Sequence, residues 1–369
     1  MLKEDYENYE YLKNIIALSS FVLLGSHSGF VFYFYSKGEN LFSSLLSISI
    51  IVLVLSSILF SVFLSNHYLI WPILFFGVSV FLEKKIQVDK QFYLAILYKP
   101  LLSLLLVSTI FLSVQKTPSS LYVYNVLAFC YPVALIIWLC LIKFFAPVTF
   151  KFILDINFTN IKSDFYHYIK MVKVGVVENA ATILLMLHLF TDRYMLNNYY
   201  QSDLASYSLA FNFSQLVFVG INSLAYIQNV RIGEDIINIK ISKIKGILLR
   251  AFFLFLLLFI CVVIVSYCYE LMFDGFDDLT LYTIVLAFFI GIFYTFNVIG
   301  IIPLLKGKQK VVTFLMVIIF LTNLFLSFLF YHLSIPAIFN IGKTVLMLSF
   351  FGGFIVFYSL KLIQSKTSD

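Results

Sequence analysis

Charge is scarce in this 369-residue sequence: Asp, Glu, Lys and Arg together make up 12% of it, about half the share usual in soluble domains. So few charges cannot coat a water-facing surface, which excludes an ordinary soluble protein. Cysteine is also rare. The four present, Cys130, Cys140, Cys261 and Cys268, lie in apolar runs without the paired spacing of a zinc site or disulfide framework, and are expected as small core residues. The phosphate-binding pattern G-x-x-x-x-G-K-[ST] is missing, so energy for any work has to come from an ion gradient or from the substrate. No charge-rich stretch is long enough for a separate soluble domain. The opening residues Met1 to Asp5 lack a basic region leading into an apolar run and a small-residue cleavage site, so no removable signal peptide is expected. The net charge of +6 is spread over loops rather than clustered with stacking aromatics, which argues against nucleic acid.

What fills the chain is apolar: 62% of the residues, with a mean hydropathy of +0.99. Runs bounded by charges or turn residues fall near 14–35, 41–64, 67–82, 92–114, 121–145, 172–191, 205–229, 247–269, 279–304, 311–331 and 335–360. Each is close to the length of about 20 residues that crosses a bilayer. Runs without period-2 alternation must satisfy their backbone as helices, so the expected fold is all-α and polytopic, with about eleven transmembrane helices.

Basic residues test the count, because loops on the cytoplasmic side retain Lys and Arg. Alternating the connections collects nineteen of the 25 basic residues on one face, including Lys84, Lys85 and Lys90, Lys143 to Lys173, and Arg231 to Arg250. The other face holds Lys3, Lys13, Lys116 and Arg193. This places the N-terminus outside and the C-terminus in the cytoplasm. The longest polar connection then divides the chain into an N-terminal bundle of five helices (1–146), a cytoplasmic linker (147–171) and a C-terminal bundle of six (172–369). A short internal match, Gly25, Ser28, Gly38 and Glu39 against Gly220, Ser223, Gly233 and Glu234, is what a repeat related by 195 residues would leave; chance competes with it.

Two places carry a family resemblance. The first is Thr191-Asp192-Arg193-Tyr194-Met195-Leu196 followed by Ala205-Ser206-Tyr207-Ser208-Leu209-Ala210; the second is Gly307-Lys308-Gln309-Lys310 with Asn323 in the next span. On these residues the chain resembles the lipid-linked oligosaccharide flippases of polysaccharide biosynthesis, relatives of the MATE exporters in the MOP superfamily. The resemblance implies a MATE-like fold from which the first helix of the usual twelve is missing, Tyr6 to Tyr11 standing where the loop after that helix would be. Asp192, Arg193 and Tyr207 are the residues that match the family's motif.

Ionisable groups inside spans cost about 2.5–3.5 kcal/mol each at the bilayer centre, so each needs a partner or a wet cavity. Glu178, Thr182, Leu185, His188 and Asp192 share one helical arc at 100° per residue. The functional reading puts Glu178 or Asp192 in a cavity as a proton or sodium site, with His188 as a relay; the rival reading pairs Asp192 with Arg193 in an outer loop. Asn212 and Gln215 suit either helix packing or sugar hydroxyls, since amides both donate and accept. Lys99, beside Pro100, and Lys343 lie deep enough to meet a pyrophosphate, with snorkelling to the interface as the alternative. No catalytic residue, metal site or cofactor is expected.

By resemblance, the function is translocation of an undecaprenyl-pyrophosphate-linked oligosaccharide, an O-antigen or capsule repeat unit, across the bacterial cytoplasmic membrane by alternating access coupled to an ion gradient. Membrane lipids, a polysaccharide polymerase and a chain-length regulator are the implied partners. A small-molecule or drug exporter and a membrane enzyme, such as an O-antigen polymerase or acyltransferase, are the competing functions.

Overall fold

A computed structural model describes residues 16, 20–63, 67–113, 120–154, 160–200, 203–273 and 276–364. The Tyr6 to Tyr11 region and part of the start of the first expected span lie outside them. The described residues form helices and connections, with no strand among them. In chain order the α-helices are α1 (Ser26–Lys37), α2 (Phe42–Phe63), α3 (Ile70–Val88), α4 (Phe92–Ser113), α5 (Ser120–Phe145), α6 (Pro147–Leu154) and α7 (Ile161–Tyr199). They continue with α8 (Leu204–Glu234), α9 (Ile241–Met272), α10 (Leu279–Asn297), α11 (Ile301–Leu305), α12 (Gln309–His332) and α13 (Ala337–Gln364).

Eight stretches among the described residues are long and apolar enough to cross a membrane: 42–62, 125–145, 161–196, 206–234, 241–272, 279–305, 309–332 and 337–364. A shorter apolar helix covers Phe92–Leu106. The chain is a multi-pass membrane protein. Helix α3 is less apolar than these because its C-terminal end carries Glu83, Lys84 and Lys85. Connections are short and fall where the sequence has turn chemistry. Gly38 closes α1 in the left-handed region, its N–H bonded to Tyr33 O, and Gly307 takes a positive φ between α11 and α12.

The chain divides into two compact units, Met1–Asn179 and Ala180–Asp369, the division falling within α7. The segment read as a linker, 147–171, is helical over Pro147–Leu154 and again from Ile161. In the N-terminal unit α1 meets the first part of α7 backbone to backbone. A Cβ on Gly175 would stand 1.8 Å from Gly25 O, and one on Gly29 would stand 2.0 Å from Met171 O. Tyr98 and Trp138 pack at 5.1 Å, and the Trp138 indole donates to Leu94 O at 2.6 Å, tying α4 to α5. The Ser44 hydroxyl donates to buried Asp164 at 2.7 Å, joining α2 to α7.

In the C-terminal unit one apolar cluster gathers Tyr207, Ala210, Leu286, Ile290, Ile341 and Val345 from α8, α10 and α13. A second gathers Phe293, Met316, Leu348 and Phe351. Glu270 accepts from the backbone N–H of Thr280 at 2.8 Å, capping the first turn of α10, a position where backbone donors have no partner within the helix.

Two expectations are corrected. The short internal match does not share local structure: Gly25 and Gly38 take positive φ and bracket α1, whereas Gly220 and Gly233 lie inside α8. Four identities carry no helix-boundary information when one pair breaks the helix and the other continues it. Cys130 is buried, as a core residue should be, but Cys140, Cys261 and Cys268 are exposed on their helices. Apolar spans have an outer face as well as a core face, and lipid accepts a thiol on the outer one.

Candidate functional site: a buried polar cluster in the C-terminal unit

Three helices of the C-terminal unit each carry two polar residues four apart, hence one turn apart on a single face: His188 and Asp192 on α7, Asn323 and Ser327 on α12, Asn340 and Thr344 on α13. All six are buried. In a span whose other residues are apolar, such side chains turn inward because lipid offers them no hydrogen bonds.

Thr344 is the centre of the cluster. Its hydroxyl lies 2.6 Å from Asp192 Oδ1, 2.9 Å from Asn323 Oδ1 and 3.3 Å from Asn340 O. A hydroxyl has a single proton to donate, so three acceptors converge on one donor. Turning the Asn323 amide would relieve the shortage but set two carbonyl oxygens against each other, because Asn323 Nδ2 now donates to His188 O at 3.4 Å. His188 Nε2 lies 3.0 Å from Thr344 O, which only accepts; this nitrogen therefore carries a proton.

Lys343, next to Thr344, points its ammonium into the same region. It donates to Asn323 O at 3.2 Å and to the Ser327 hydroxyl, and lies 5.5 Å from the centre of the Phe330 ring. Asp192 is 1% exposed, and its Oδ2 has no hydrogen-bond partner among the described residues. The site therefore holds a buried Asp192 carboxyl and the half-buried Lys343 ammonium, linked through Asn323 and Thr344, in a shell rich in acceptors.

The other residues singled out in the sequence are distributed differently. Asp192 and Arg193 are not partners in an outer loop, because α7 continues to Tyr199. Consecutive residues on a helix point about 100° apart. Asp192 thus turns inward, while Arg193 places its guanidinium 4.6 Å over Phe211, whose ring stacks with that of Tyr207. In the N-terminal unit Glu178 accepts a hydrogen bond from Ser28, with Lys84 in electrostatic reach. The Lys99 ammonium lies 3.6 Å from buried Glu83 while its side chain stays 59% exposed. On α8, Asn212 is half-buried and Gln215 exposed. The Lys343 ammonium turns towards Asn323 and Ser327. Among the described residues, no group of three or more His, Cys, Asp or Glu is placed to hold a metal ion.

Sequence reasoning missed Ser327, Asn340 and Thr344. Their signal is the four-residue spacing shared with Asn323 and with His188 and Asp192, a pattern visible once three helices are compared rather than one.

No family model matches the sequence, and no curated protein matches it. Solved structures do. A mutant of the Vibrio cholerae MATE transporter VcmN superposes with a TM-score of 0.68 at 12% identity, covering 99% of this chain and 89% of that one. The outward-facing structure of a multidrug resistance MATE family transporter of the MOP superfamily gives 0.68 at 10% identity, covering 100% and 90%. The eukaryotic MATE transporter AtDTX14 gives 0.56 at 11% identity, covering 95% and 87%. The chain shares the fold of these MATE transporters.

Proposed function

We propose that this MATE-fold chain is a transporter working by alternating access, and specifically a flippase that carries an undecaprenyl-pyrophosphate-linked oligosaccharide repeat unit from the inner to the outer leaflet of the bacterial cytoplasmic membrane, coupled to an ion gradient. The observation that carries the transporter reading is the cluster of buried polar residues around Asp192. Buried charges in spans are expensive and mark transport or coupling pathways, and this one lies in a fold shared with transporters. The flippase reading adds the resemblance at Asp192, Arg193 and Tyr207, together with Lys99. That lysine keeps its side chain 59% exposed beside Glu83, and its ammonium can take a pyrophosphate as a charge-assisted acceptor in place of that pairing. A polymerase and a chain-length regulator would then receive the product.

The rival reading, export of small molecules or drugs, has its own support: one protein of this fold is a multidrug resistance transporter. Proteoliposomes separate the two. Expected is time-dependent exposure of a lipid-linked oligosaccharide at the opposite face, lost with empty vesicles. Lys99→Ala should lower the rate about tenfold, the effect of one lost charge-assisted hydrogen bond of about 1.5 kcal/mol, and Lys99→Arg should restore much of it. Drug efflux without oligosaccharide movement would replace this reading by the exporter.

A further inference from the structure

We propose that Lys343 is the resident cation of the Asp192 cluster: its ammonium supplies from within the chain the positive charge that the buried carboxylate needs, so the cluster takes up no free metal cation from solution. The inference rests on the transporter reading for its place in a transport cycle, and on the geometry of the C-terminal unit for the binding itself.

The oxygens present would suit an alkali cation: two from Asp192, the side-chain and backbone oxygens of Asn323 and Asn340, and the hydroxyls of Ser327 and Thr344. Hard oxygen donors of this kind hold hard cations. Such a cation would have to enter next to an ammonium that already holds Asn323 O and the Ser327 hydroxyl. Two positive charges a few ångströms apart, away from water, repel strongly.

The charged and titratable groups packed around the carboxylate are few. Helix α7 offers His188, whose protonated Nε2 is spent on Thr344 O, and Arg193, whose guanidinium lies over Phe211. Helix α8 offers Tyr207. Helix α12 offers the uncharged Asn323 and Ser327, and α13 offers Lys343. Of the two cations, Lys343 shares a partner with the carboxylate: Asn323 accepts from Lys343 at its backbone oxygen, while its side-chain oxygen and Asp192 Oδ1 compete for the one Thr344 proton. A buried carboxylate without a cation is costly, and the flexible four-carbon stem of lysine lets the ammonium serve Ser327 and Asn323 in one arrangement and Asp192 Oδ2 in another. A rearrangement of this unit would then move the chain's own charge instead of admitting a metal ion.

The test is thermal unfolding of the full chain in nanodiscs at constant ionic strength, choline chloride being replaced by LiCl, NaCl or KCl. The wild-type midpoint is expected to be the same in all four salts. Lys343→Met should gain a rise of about 2 °C or more in at least one alkali salt, as ligand binding to the folded state produces, and adding Asp192→Asn should abolish it. A wild-type midpoint that rises with an alkali salt and ceases to rise in Asp192→Asn overturns the proposal, as does a Lys343→Met protein that folds without any such rise. If Lys343→Met does not fold, the double variant Lys343→Met/Asp192→Asn decides. Recovery of folding when both charges are removed supports the pairing, and failure to recover overturns it. None of these readouts involves transport, so failure of the transporter reading would leave them standing.

Discussion

Thr344 and Gly175 show how much a single atom decides here. The Thr344 hydroxyl is the donor that reaches Asp192 Oδ1, so Thr344→Val keeps the shape of the side chain and removes the proton. The buried carboxylate then loses its donor, a loss of about 1–3 kcal/mol, while Thr344→Ser retains the bond and most of the stability. The difference in unfolding midpoint between the two variants checks this. At Gly175 the sign of an ordinary substitution reverses. Gly→Ala inside a helix is normally favourable by about 1 kcal/mol, but a Cβ here would stand 1.8 Å from Gly25 O. The backbones of α1 and α7 would have to part, so Gly175→Ala should destabilise by about 1–3 kcal/mol. Gly246→Ala is the control: it sits in α9 with nothing within 4 Å of its added carbon, and should be neutral or stabilising in the same melt.

Among the elements, α7 differs most from its sequence expectation. Its polar first turns, Ile161 to Lys173, belong to a helix because they have partners: Asp164 accepts from Ser44 of α2, and Lys170 pairs with Glu39 at 2.8 Å and lies 4.6 Å over Tyr33. Hydropathy counts lipid solubility and is blind to such partners, so it begins the span at 172, eleven residues after the helix starts at Ile161. The two contacts are unequal. Asp164 is buried, and Asp164→Ala should lower the unfolding midpoint measurably by removing this bond between α2 and α7; Lys170→Ala, at a half-exposed pair, should lower it less. At its other end α7 runs to Tyr199, because Asp192, Met195 and Leu196 are buried on its inner side although the sequence around Asp192 and Arg193 looks like a polar loop.

For the whole molecule, the distribution of basic residues makes a topological prediction. In a cysteine-free background, a thiol placed at exposed Asn198, near the end of α7, should react with an impermeant reagent in intact cells. One placed at exposed Asn238, between α8 and α9, should react after the membrane is opened. Reaction of the second in intact cells would reverse the orientation. The all-helical, many-span architecture was legible in the sequence because each apolar run must satisfy its own backbone in lipid, a requirement local to about 20 residues. The polar residues on α7 were legible for the same reason: charges among apolar neighbours stand out one by one. Their partners were not. Which of two competing roles Asp192 plays, a loop pair with Arg193 or a carboxylate held by Thr344, depends on helices separated from it by more than a hundred residues. Lys343 also takes its direction from a neighbouring helix, through Asn323 and Ser327, rather than from its depth in the span. Length and hydrophobicity were thus determined by the sequence alone, while the meeting of carboxylate, ammonium and hydroxyl was decided by how α7, α12 and α13 pack, because hydrogen bonds act over about 3 Å and only the folded chain brings those atoms that close.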